Sequence, residues 1–191
     1  MAQSSAPDPM VRGTVLVGMA AAVEHLWGRG ALDAMRGRLA LPADHALFDQ
    51  IASPLSWYPE KLAARVGAIV WDELTARDEA AFAGFAERTI DHGWGRMHSV
   101  LVRLATPKLL ARRAPELWRR DHSHGAVEVT VVDPTTLRLR LSDHPWVHDP
   151  VMRRFQARSF RYILSLTRVR DLETVEAADV AGALVMTATW R

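Results

Sequence analysis

Between residues 126 and 141 the apolar residues fall on every second position. Val127, Val129 and Val131 alternate with Glu128 and Thr130, and Leu137, Leu139 and Leu141 alternate with Arg138 and Arg140. A period of two puts all the apolar side chains of a strand on one face. The intervening Asp133-Pro134-Thr135-Thr136 is a turn sequence. The segment is therefore predicted to be an antiparallel hairpin over 126–132 and 137–141 with one buried face. Such a hairpin cannot stand alone, so the rest of the chain has to cover it.

Most of that rest has helical period. In 58–75, Leu62, Val66, Ile69, Val70 and Leu74 form a stripe, while Glu60, Lys61, Arg65 and Asp72 fall mostly off it. In 78–104, Phe82, Phe85, Ile90, Met97, Leu101 and Leu104 share a stripe, and Gly93 and Gly95 predict a kink or break. Pro107 opens a helix to about Arg120. Residues 13–27 read as a strand that continues into a helix, stopped by Gly28 and Gly30; shorter helices follow near 31–39 and 43–51. After the hairpin, Met152, Phe155, Ser159, Tyr162, Ile163 and Leu166 mark a helix over 150–166, with Arg153, Arg154, Arg158 and Arg161 on its other face. A second hairpin is predicted at 168–177 and 182–190, with Ala178, Asp179 and Gly182 at the turn.

The order is helices first, then β-β-α-β-β. It predicts an α+β fold: N-terminal helices followed by a four-stranded antiparallel sheet, the 150–166 helix on one face and the earlier helices partly on the other. Residues 1–10 read as a flexible tail, and 11–191 as a single domain, which the length suits.

Composition removes several function classes. There are 0 cysteines, which excludes disulfides, thiolate metal sites and cysteine nucleophiles. The formal net charge of +2 gives no footprint for nucleic acid. MAQSSAPDPM has no secretory pattern and no apolar run reaches membrane-spanning length, so a cytoplasmic location is expected. No Gly-x-Ser-x-Gly, phosphate-binding glycine loop or Gly-x-Gly-x-x-Gly occurs.

A set of short segments resembles a known pattern: Arg12-Gly13-Thr14-Val15-Leu16, Ser56-Trp57-Tyr58-Pro59, the helix Phe-Ala-Gly-Phe-Ala-Glu-Arg at 82–88, Thr106-Pro107-Lys108-Leu109-Leu110 with Trp118 downstream, and Thr187-Ala188-Thr189-Trp190. Together, over about 11–190, they resemble a family of myxobacterial proteins. That family is similar to the superfamily of haem–nitric-oxide-binding domains, 4-vinyl-reductase domains and vesicle-tethering (TRAPP-type) subunits. The resemblance implies an apolar ligand pocket between helices and sheet, and it nominates Trp57, Tyr58, Trp94, His98 and Trp118 as ligand-binding residues. Haem-binding members hold iron through a histidine on the helix that corresponds to 107–120, and that stretch contains none. No cofactor is therefore expected, haem included. The cysteines of many 4-vinyl-reductase domains are also missing.

The histidines form a separate cluster. His122 and His124 precede the first hairpin, and His144 and His148 follow it. A hairpin brings its ends together, so these four are candidate metal ligands, although Pro145 breaks the His-x3-His spacing and the plain reading is polar loop residues with no metal. The leading functional expectation is a non-catalytic small-molecule-binding or sensory domain. Its rivals are a protein-interaction module, homodimeric or with a protein partner, and a proton-transfer enzyme using His98 and a carboxylate.

Overall fold

The computed structural model describes residues 8–39, 42–49, 53–177 and 182–191, with side chains except those of residues 42, 46 and 95–101. The chain runs β1 (Met10–Arg12), α1 (Gly13–Trp27), α2 (Arg29–Arg38), α3 (Pro42–Asp49), β2 (Trp57–Pro59) and α4 (Glu60–Ile69), which widens into a π turn over Val70–Leu74. It continues α5 (Glu79–Leu104), α6 (Pro107–Asp121), β3 (Ala126–Asp133), β4 (Thr136–Ser142), α7 (Pro150–Ser165), β5 (Glu173–Glu176) and β6 (Ala183–Thr189).

The expected α+β class and the helices-then-β-β-α-β-β order are present, with the four strands antiparallel in the order β3-β4-β6-β5. A short antiparallel pair, β1 with β2, is added to it, with Val11 opposite Tyr58. Pro9 and Met10, read from composition as tail, are tied in: Met10 pairs with Pro59, and the Pro9 carbonyl accepts from the Glu60 amide at 2.9 Å. Ala178 and Asp179, expected in the second turn, lie outside the described residues.

Register explains the covered face. Leu137, Leu139 and Leu141 on β4 oppose Ala188, Met186 and Leu184 on β6. These residues pack with Leu110, Ala114, Leu117 and Trp118 of α6 and with Phe160, Ile163 and Leu164 of α7. Both helices therefore sit on one face, rather than one on each. Glu128, Thr130, Arg138 and Arg140 on the other face are exposed or nearly so. The reason lies in the residues: those positions carry charge and hydroxyls, which cannot be buried without partners.

The helical half has its own core. Leu16, Met19, Leu62, Val66, Val70, Phe82 and Phe85 are fully buried, each worth roughly 1.5–3 kcal/mol of apolar burial. Phe155 of α7 joins it, with ring centroids 6.5 Å from Phe82 and 5.8 Å from Phe85. So α7 bridges the two halves. No break divides α5: it is one helix through Gly93 and Gly95. The glycines have another use, because Gly93 lies against the backbone of Thr14 on α1. Among the described residues, no helix is long and apolar enough to cross a membrane.

Candidate functional site

Where α1, α5, α6, α7 and the inner sheet face converge, they leave a cavity of about 120 Å³. Ile90 and Trp94 line it from α5, Leu110, Ala114, Leu117 and Trp118 from α6, Val129, Leu137 and Leu139 from the sheet, and Phe155, Phe160 and Ile163 from α7. The same alternation that buries the hairpin thus supplies its floor. Polar groups at the wall are few: Thr14, Thr89, Asp121, His122, Gln156 and Ser159. Two of these hydroxyls, Thr14 Oγ1 and Ser159 Oγ, are buried without a hydrogen-bond partner. Orphaned buried hydroxyls are uncommon, because each loses its hydration without recompense.

One end of the cavity is closed by a polar cluster. α6 ends at His122, whose backbone turns extended and forms a bridge with Val11 of β1. That turn places the His122 ring flat on Trp118, with centroids 3.8 Å apart and planes at 6°. The Trp118 indole N–H donates to the His124 carbonyl at 2.9 Å, which locks the pair. His144 enters from the loop after β4, where Asp143 has φ 54° and turns the chain inward. Gly125 (φ 83°) makes room for it: a Cβ there would stand 3.1 Å from the His144 ring.

Both rings meet Glu60, the first residue of α4. His122 Nδ1 lies 3.0 Å and His144 Nε2 2.8 Å from the same oxygen, Glu60 Oε1. The Glu60 side chain is 1% exposed and that of His144 0%. An ionised carboxylate only accepts, so both facing ring nitrogens carry hydrogen. Burial by itself would raise the Glu60 pKa. The hydrogen bonds and charge of His122 and His144 outweigh it and bring the carboxyl down to about 2. Glu60 Oε2 and His144 Nδ1 are buried and without a hydrogen-bond partner.

Of the five ligand residues expected, Trp94 and Trp118 line the cavity. Trp57 does not: it is on β2, 37% exposed, beneath the Arg12 guanidinium at 4.2 Å. Tyr58 is buried on β2, opposite Val11 of β1, and is not part of the cavity lining. His98 is on α5, and its side chain lies outside the described residues. Of the four histidines, His122 and His144 come together, whereas His124 contacts the Ser123 hydroxyl at 2.7 Å and His148 is exposed. Glu60 was placed by its spacing on the polar face of its helix, yet it is fully buried. Its partners lie 62 and 84 residues away, so no local pattern signals them.

No family model matches the chain, and no curated protein does. Solved structures do. An oxygen-binding H-NOX domain related to soluble guanylate cyclases, in its oxygen complex, matches at TM-score 0.68 and 10% identity over 94% of this chain and 95% of its own. An iron(II) unliganded mutant H-NOX protein from K. algicida gives the same TM-score and identity over 94% and 96%. The chain has an H-NOX-like fold. A third structure with that fold, at TM-score 0.65 and 9% identity over 94% and 99%, concerns haem redox potential and porphyrin distortion.

That finding corrects the expectation of no cofactor. Haem was set aside because residues 107–120 lack a histidine. The fold is nevertheless one in which haem is held, and a histidine does line the cavity: His122, the residue that ends α6. Its Nδ1 is anchored on Glu60, which orients the ring and leaves Nε2 as the donor nitrogen, in the manner of carboxylate-supported histidine ligands. The donor and the apolar walls suit a porphyrin. The volume does not, since a cavity near 150 Å³ takes about one benzene ring.

Proposed function

We propose that the chain is a small-molecule-binding sensory domain whose ligand enters the cavity between α1, α5, α6, α7 and the sheet. The observation that carries this is the pair of partnerless buried hydroxyls, Thr14 Oγ1 and Ser159 Oγ, on a mostly apolar wall. An apolar ligand with one hydrogen-bonding group would satisfy them. The haem chemistry and the oxygen complex of the structural neighbours support a small-molecule ligand in this fold. Signalling would follow from differential affinity for two positions of α6, with no covalent chemistry. Trp94 and Trp118 would contact the ligand, and His122 Nε2 would hold haem iron if α6 opens.

The test is titration with two probes, hemin followed by its Soret band and indole followed by ligand-observed NMR. Saturable binding of either, abolished in a folded Ala114→Phe variant that fills the cavity, is expected. Failure of both probes to bind overturns the reading.

A further inference from the structure

We propose that Glu60, His122 and His144 form a site for one divalent first-row transition-metal ion. A carboxylate oxygen and two imidazole nitrogens, one atom from each residue, all lie within 4.8 Å of one another. Two imidazoles and one carboxylate form the donor set of open sites for zinc or non-haem iron(II), which keep a position for an exogenous ligand.

Geometry and charge both favour an ion here. Ligand atoms held about 2 Å from a tetrahedral ion stand roughly 3.3 Å apart. The nitrogens now stand 2.8 and 3.0 Å from Glu60 Oε1, close to that spacing. Oε1 carries both imidazoles while Oε2 has no hydrogen-bond partner. Glu60 is a buried carboxylate, its side chain 1% exposed, and a buried charge needs compensation. A dication supplies it and takes His122 through Nδ1, the nitrogen already facing the carboxylate. The three ligands are also held firmly. Glu60 starts a helix, His122 is stacked on Trp118, and His144 is seated over Gly125. His122, with its side chain 10% exposed, is the most accessible member. Glu60 and His144 are not part of the cavity lining, and His122 is shared with it.

The experiment is titration of chelator-treated protein with cobalt(II), read by ligand-field absorption, and then with zinc(II). One equivalent of cobalt, displaced by zinc, is expected, with the imidazole nitrogen resonances of His122 and His144 shifting. A folded His144→Ala variant should bind at least about tenfold more weakly, and Ala114→Phe should bind as the parent does. No stoichiometric binding overturns the proposal. So do shifts confined to the other six of the eight histidines, or unchanged affinity in His144→Ala. Where that variant fails to fold, the stoichiometry and nitrogen shifts of the parent chain decide.

Discussion

Gly18 on α1 and Gly93 on α5 meet backbone to backbone. A Cβ on Gly18 would stand 2.4 Å from the Thr89 carbonyl oxygen and 3.1 Å from the Gly93 amide nitrogen, and one on Gly93 would stand 2.8 Å from the Thr14 carbonyl oxygen. The obstacles are backbone atoms, which cannot rotate aside. Gly18→Ala should therefore destabilise the protein by about 3 kcal/mol, despite alanine's better helix propensity. Urea denaturation measures this. A change under about 0.5 kcal/mol would show that the helices cross elsewhere.

Asp149 accepts from the amides of Val151 and Met152 at 2.9 and 2.8 Å and so caps α7, the helix that joins the two cores. Asp149→Ala should cost about 1–2 kcal/mol, while Asp149→Asn, which keeps the acceptor, should lose less than half of that. Thermal melts of the two variants separate the hydrogen bond from the charge.

Ser159 is buried on the cavity wall with its hydroxyl unpartnered. Ser159→Ala removes an unmet polar group, so the ligand-free protein should gain about 1 kcal/mol. A variant that gains stability and loses affinity for indole would mark Ser159 as a binding residue held at a cost to the fold. A loss of stability would instead mean that the hydroxyl has a partner.

The Tyr162 hydroxyl donates to Asp91 on α5 at 2.6 Å. Burial first, then that hydrogen bond and the Asp91 charge, push its pKa up from 10.0 to about 12. The folded value lies above the unfolded one. Its stabilisation is therefore complete below about pH 10 and lost as pH rises towards 12. Difference titration of phenolate absorbance between the parent chain and Tyr162→Phe isolates the group from Tyr58. The variant's stability should fall less over that interval.

Much of this was legible in the sequence. The hairpin, the α7 stripe and the long α5 follow from local periodicity, and periodicity is a local signal. The family resemblance nominates Trp94 and Trp118, and both line the cavity. What escaped depends on contacts between distant segments. Gly93 looks the same in sequence whether it bends a helix or admits another one. Glu60 sits next to Lys61 in a polar-looking turn, and its burial is set by two histidines on another part of the chain. Haem was dismissed on a window that stopped at Arg120, and a histidine of the cavity wall, His122, lies just beyond it.

The cluster of Glu60, His122 and His144 has a meaning for docking as well. The helical core draws on residues from Val11 to Ala86 and on Met152 and Phe155 of α7, and the sheet core on residues from Trp118 to Met186. Glu60 belongs to the first half and both histidines to the second, across spans of 62 and 84 residues. Apolar packing such as that of Phe155 tolerates small offsets, whereas the polar contacts of Glu60 require its partners at hydrogen-bond distance. The junction therefore serves as a seal, complete only when both halves are correctly docked. A chain whose halves condense but meet out of register would leave that carboxylate hydrated and its imidazoles free.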